Sequence, residues 1–377
     1  MVNAARGMAV LTILSLQASC SLFIDDLPSG DRAGVPQGEA DAGLDGNPEG
    51  GADVVAEAAV EDAPIDAAED REEEDARDGS AESDAAAAEP VVLAVGQDGP
   101  ADLAVDDRYV YWVNQSVGAE GTVQRMPLDG SEDPVVIAEG QFMPTRIVVH
   151  GEDLYWIDRG GGLWTARVPG DMPQRVGMVS GSDCWGLGVG DGRLFMTTMH
   201  SVEQFSLPSG PLETWAAEEH DALALTVAGG VVYWTNDAPG GAVRRSLVDG
   251  QPTTLATGQG SSSGIAVDGT HVYWTSWDHG TVSRIPREGG EIERLSSGEY
   301  YPSGVAVDDT HVYWLTEGSY ASASGSLFRM PREGGARETL ADQQWVSQRL
   351  VLDDTHVYWV TFGSVKFASG TVMKMRK

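Results

Sequence analysis

The chain of 377 residues has only two cysteines, Cys20 and Cys184, so at most one disulfide is available to it. Between Phe23 and Tyr109 it has no aromatic residue at all. From Ile24 to Glu89 it carries 22 acidic residues against three arginines, Arg32, Arg71 and Arg77. A stretch of Ala, Gly, Asp and Glu offers too little apolar area to offset roughly 1–2 kcal/mol per residue of ordering entropy. That excludes a packed core there. Positive charge is scarce throughout: the formal net charge is −34, and beyond Glu89 acidic groups still outnumber basic ones by sixteen. Nucleic acid and anionic lipid are poor partners for such a chain, whereas cations or plain solubility suit its sign. No segment keeps an apolar 3.6-residue period long enough for a helix.

At the N-terminus, Arg6 precedes the apolar run "GMAVLTILSL", and "QASC" follows, ending at Cys20. A positive start, about ten apolar residues and a small-residue site make a targeting segment over residues 1–20. Ten residues are too few to cross a bilayer core of about 30 Å as a helix. The arrangement resembles a bacterial lipoprotein signal peptide, which implies lipidation of Cys20. Leu16 stands four residues before Cys20, with Gln17 in the slot such signals give to Leu, so plain secretion is the alternative. Ser21 suits the outer-membrane sorting that the resemblance implies; a periplasmic or secreted protein is the other reading. Residues 21–88 read as an acidic disordered tether, its 65 or so residues spanning roughly 45 Å as a flexible coil. A single helix over "AEDREEEDARD" is opposed by like charges at i,i+4. With Cys20 acylated, no disulfide framework is expected. In "SGSDCWGLGV" Cys184 reads as a small apolar residue packed in a connection.

From residue 89 onward the chain repeats itself. The Trp of a "VYW" phrase falls at Trp112, Trp156, Trp234, Trp274, Trp314 and Trp359, and a degenerate copy, "GRLFMTT", puts Met196 in the same slot. Successive anchors lie 44, 40, 38, 40, 40 and 45 residues apart. Each unit holds four strand signals separated by Gly- and Asp-rich turns; in the fifth they are "GIAVDG", "THVYWTS", "GTVSRIP" and "EIERLSSG". Four strands in about 40 residues, repeated seven times, predict an all-β fold: a seven-bladed β-propeller of four-stranded antiparallel blades over residues 89–377. "HVYWT" is apolar on both of its faces, so each blade must be covered on both sides. The region opens on a fourth-strand signal near Pro90–Val95 and stops on a third-strand signal near Thr371–Met375. An N-terminal strand is therefore expected to join the last blade and close the ring.

The phrases "GIAVDGTHVYWTS" and "GVAVDDTHVYWLT", followed by "GTVSRIPREGG" or "GSLFRMPREGG", resemble the YWTD and NHL class of propeller repeats. That class is specific for fold and silent on task. The seven blades depart from the six usual in YWTD propellers. The slot two after the Trp also varies: Asn114, Asp158, Thr198, Asn236, Ser276, Thr316 and Thr361. Seven small hydrogen-bonding residues in one column are expected to satisfy backbone groups at strand ends. His271, His311 and His356 each follow an Asp-x-Thr turn and are expected to cap that hairpin, and a basic column in the third strands reads as a solvated or locally paired face.

Function is expected where the repeats differ. The slot at the channel mouth reads Asp102, Arg146, Gly186, Ala224, Gly264, Gly304 and Arg349. Ring closure makes Arg349, Asp102 and Arg146 neighbours, either an Arg–Asp–Arg site for an anionic or polar ligand or an ion-pair network that seals the channel. The connecting loops add Trp185, Tyr301, Trp345, Trp277, Asp278 and His279, which suit a sugar, peptide or protein, or else pack between blades. The leading reading is a non-enzymatic binding or scaffolding module at the cell envelope, monomeric, without a cofactor, touching the membrane only through its lipid. The alternative is a metal-dependent lactonase- or lyase-like enzyme with a divalent metal in the channel. No His-Glu-x-x-His, Gly-x-Ser-x-Gly or phosphate loop is read as supporting catalysis.

Overall fold

The computed structural model describes residues 89–116, 120–168, 170, 172–180, 184–237, 240–318, 322–363 and 369–377. The targeting segment, Cys20 and the tether lie outside the described residues. Seven sheets, each of four antiparallel strands, make up the fold, and no α-helix occurs among the described residues. The inner strands are Pro100–Val105, Pro144–His150, Gly186–Gly190, Ala222–Ala228, Ser262–Val267, Pro302–Val307 and Ser347–Leu352. Each packs beside the inner strand of the next blade, the seventh beside the first. This is the expected seven-bladed propeller. The fourth strand of blade seven is Val91–Gln97, antiparallel to Gly370–Arg376, with Val91 opposite Lys374 and Val92 opposite Met373.

Blade five shows how the repeated phrase folds. Asp268 Oδ1 accepts the backbone N–H groups of Thr270 (2.6 Å) and His271 (2.7 Å), while Oδ2 accepts the Tyr273 hydroxyl (2.7 Å). An Asp that bonds the backbone two and three residues on holds the tight turn between first and second strands. Asp308 and Asp353 repeat the set, and Asp106 repeats it without the histidine. The cap is thus the aspartate. Each histidine ring instead meets the hydroxyl of its preceding Thr at 2.7–2.8 Å.

The second strands explain the doubly apolar phrase. Each of the seven cores between blades joins the Tyr face of one blade to the Trp face of the next: Tyr111 with Trp156, Tyr233 with Trp274, Tyr273 with Trp314, Tyr313 with Trp359. Phe195 stands for Tyr and Met196 for Trp in blade three. Tyr358 of blade seven meets Trp112 of blade one, which completes the circle. The six tryptophans of the repeated phrase are fully buried. Cys184 is buried in the core with Tyr155 and Met196, as its apolar neighbours imply.

Polar groups bridge the blades as well. Trp112, Trp156, Trp234 and Trp359 donate their Nε1–H to Gln97, Gln141, Glu219 and Gln344, each 15 residues earlier at the end of the previous blade, at 2.8–3.1 Å. Gln259 and Glu299 hold the same slot for Trp274 and Trp314, but Glu299 is taken by Arg337 at 2.7 Å, and those two indoles have no acceptor among the described residues. The basic column is likewise a set of clasps more than a solvated face. Arg245 and Arg284 donate to the carbonyls of Arg287 and Arg332 in the next blade, and Lys374 donates to Leu128 at 2.5 Å. Arg332 and Lys377 reach back to Asp268 (3.3 Å) and Asp308 (3.0 Å) of the preceding blade.

Candidate functional site

The inner strands all start at one end of the ring, here the upper end, and turn into the second strands at the other, where Asp268, Asp308 and Asp353 open their Asp-x-Thr turns. At the upper end the connecting backbone is strained. Among the described residues, four of the six non-glycine residues with positive φ, Met143, Glu218, Asp221 and Tyr301, sit in its connections, and Met143, Asp221 and Tyr301 (φ 50°, 50° and 49°) each stand just before an inner strand. Side chains rarely adopt this conformation, and it gathers where a structure holds a loop in a required shape.

A cavity of about 350 Å³ runs along the axis, and all seven predicted channel-mouth slots line it, together with Trp185. The small members of that column do not form an open rim. A Cβ at Gly186 would lie 2.6 Å from the Leu223 carbonyl, and one at Gly304 2.7 Å from that of Gln348, so these slots are small because the next inner strand presses on them. Asp102, in the same slot, uses its carboxylate to reach that neighbour: Oδ1 accepts Leu103 N–H (3.0 Å) and Oδ2 accepts Ile147 N–H of blade two (3.1 Å). Burial pushes the Asp102 carboxyl above its ordinary range, against the charges of Arg146 and Arg349 and these two bonds.

The two arginines converge. Arg146 Nε donates to the Trp185 carbonyl at 2.6 Å, and Arg349 Nη2 donates to the same oxygen at 3.3 Å. Arg349 Nη1 also reaches Ser263 O at 3.1 Å, so this side chain from blade seven bonds to blades three and five. Neither guanidinium lies within 4.0 Å of a carboxylate among the described residues. The expected Arg–Asp–Arg cluster is therefore one of field and not of direct ion pairs. Burial and the Arg146 charge pull the Arg349 guanidinium down to about 9, with Asp102 and Glu317 opposing.

Beside this pair lies an aromatic shelf. Trp277 stacks on Tyr301 (centroids 4.2 Å, planes 14° apart), and exposed Tyr300 leans on Tyr301 at 4.3 Å. Glu317 links shelf to channel: burial pushes its carboxyl up to about 7, against hydrogen bonds from the Trp277 and Gln348 side chains and the charge of Arg349. Sequence inspection missed Glu317 because its slot, one after the Thr of "YWLT", has no constant chemistry from blade to blade.

Of the predicted residues, Trp277, Tyr301, Asp278, His279 and Trp345 stand apart from the cavity lining. Asp278 Oδ1 accepts the backbone N–H groups of Ser261 and His279 at 2.9 Å, which makes it a loop cap. His279 is exposed, its Nε2 4.0 Å from Asp278 Oδ2. Trp345 is half-buried, and its carbonyl accepts the Ser347 hydroxyl at 2.7 Å.

The slot two after the Trp satisfies backbone groups in most blades: Asp158 accepts Gly162 N–H, Asn236 donates to His220 O, and Ser276 donates to Gln259 O, whereas Asn114 and Thr361 meet the side chains of Gln97, Thr122 and Thr371. Gly260-Ser261-Ser262-Ser263-Gly264 does read as Gly-x-Ser-x-Gly. Its central Ser262 opens an inner strand, is fully buried and faces Gln259 O at 3.4 Å, a context unlike the exposed strand-to-helix elbow of a nucleophile. Among the described residues no three His, Cys, Asp or Glu side chains are grouped to hold a metal ion. Glu203 and Asp237, for example, accept from Ser180 and Ser261 instead.

No family model and no curated protein matches the sequence. Solved structures do match in shape. A streptogramin B lyase structure superposes with a TM-score of 0.62 at 11% identity, covering 77% of this chain and 97% of that one. The structure of U3-55K gives 0.63 at 14%, covering 77% and 98%, and the computationally designed Ika8 protein 0.55 at 14%, covering 76% and 98%. At such identities the likeness is one of fold alone.

Proposed function

We propose that this chain is a binding module of the bacterial cell envelope, held by a lipid on Cys20 and an acidic tether, with its ligand taken at the upper end of the propeller. One observation carries the reading. At the upper end, slots that other blades fill with small residues hold Arg146 and Arg349, and the connections there add Glu317, Trp277 and Tyr301. Aromatic faces beside a half-buried guanidinium pair are recognition chemistry. The anchor rests on the sequence alone.

Binding screens of the full chain against immobilised glycans and peptides test the site. Arg146→Gln and Tyr301→Gly are expected to abolish the hits, and His311→Ala at the lower end to keep them. Hits lost only in His311→Ala would refute the placement. Labelled palmitate is expected to enter the native chain and not Cys20→Ser; equal labelling removes the anchor.

A further inference from the structure

We infer that the channel mouth holds a saccharide bearing a carboxylate, its acid group between Arg146 and Arg349 and its ring on the shelf of Trp277 and Tyr301. The inference rests on the binding role proposed above. Two guanidiniums converge on one backbone oxygen, that of Trp185, inside the cavity. Asp102 shares the cavity, yet both its oxygens are committed to backbone N–H groups. Two like charges set together without a direct counter-ion are stabilised most by an anion, and a planar carboxylate matches the guanidinium fork. The bonds made by the two arginines leave Arg146 Nη2 and Arg349 Nε without an acceptor among the described residues. Those donors are what an incoming carboxylate needs.

The shelf supplies the rest. A flat aromatic face takes the C–H face of a sugar ring, and the acid and amide at its edge, Glu317 and Gln348, take hydroxyls. Gln348, which directly precedes Arg349, donates to Glu317 at 3.2 Å, and Arg349 feels the charge of Glu317, so Glu317 stands between shelf and guanidinium pair.

Calorimetric titration of the full chain with trigalacturonate, its neutral galactose counterpart and trialanine tests this. The acidic sugar is expected to bind about tenfold or more tightly than the neutral one, the worth of a charge-assisted hydrogen bond. Arg146→Gln is expected to bring it down to the neutral sugar's affinity, with Arg146→Lys, which keeps charge and stem, in between. Tyr301→Gly is expected to weaken both sugars; glycine accepts the φ of 49° found there, so the fold should survive. Equal affinity for the two sugars, or an Arg146→Gln variant that still prefers the acid, overturns the carboxylate assignment. Binding of trialanine but of neither sugar, lost in Tyr301→Gly, overturns the saccharide while the binding role at the mouth stands.

Discussion

At the lower end of the ring, Asp106, Asp268, Asp308 and Asp353 make one set of bonds four times over, each to its own turn and its own Tyr hydroxyl. At the upper end the equivalent slots of successive blades hold Asp102, Arg146, Gly186, Ala224 and Gly264, and Arg349 bonds to two non-adjacent blades. A side chain that recurs at every blade is answering a need that every blade has. A side chain that occurs once answers something the ring as a whole needs, and here such side chains are charged or aromatic, with Tyr301 set on left-handed backbone.

Breaking the shared architecture should have the largest effect. Trp156→Ala, which empties a core between two blades, is expected to cost about 3–5 kcal/mol in urea unfolding. Next comes Asp308→Ala, which removes the acceptor for Thr310, His311 and Tyr313 and the partner of Lys377. It should cost about 1–3 kcal/mol and leave ligand binding intact.

The two ends should also respond to acid with opposite sign. Burial opposes the charge of Asp268, but bonds from His271, Thr270 and Tyr273 outweigh it and hold the carboxyl at about 2. Asp308 and Asp353 are also held low against burial, by the same kinds of bond. These groups stabilise the fold above the ordinary carboxylate value of 3.8, and their contribution is lost as pH falls from there toward 2. Asp102 and Glu317 are raised, so their protonated forms favour the fold. For Glu317 that contribution is present below 4.5 and fades as pH rises to about 7. Denaturation midpoints across pH should therefore lose part of their low-pH fall in Asp308→Asn, and lose part of their slope between 4.5 and about 7 in Glu317→Gln. Unchanged curves in both variants would remove the contrast.

A finer comparison uses the indole bonds. Trp112→Phe loses a hydrogen bond to Gln97, whereas Trp314→Phe loses none, so the first should cost about 1 kcal/mol more by thermal melting. The smallest effect is expected from His311→Ala, within about 0.5 kcal/mol of the native chain, because its backbone and not its ring is held by Asp308.

The ring was legible because its causes repeat. The Trp spacing, the doubly apolar strand and the Asp-x-Thr turn each recur often enough for a single sequence to act as its own alignment. The Gln97, Gln141, Glu219, Gln259, Glu299 and Gln344 column, 15 residues before each Trp, repeats too and was within reach of the same method. The mouth was legible only in position. Its seven slots do line the cavity, but that Gly304 is small because Gln348 presses on it, and that Arg146 and Arg349 meet at Trp185 O and not at Asp102, depends on the spacing of inner strands. Glu317 was invisible because one residue in one blade leaves no pattern.

Hydrogen exchange of the full chain, with and without trigalacturonate, bears most directly on the division of labour between the two ends. Added protection is predicted at residues 145–147, 185–187, 300–304 and 346–349, with the turns at 268–271, 308–311 and 353–356 unchanged. Protection confined to those turns, or none anywhere, would contradict it.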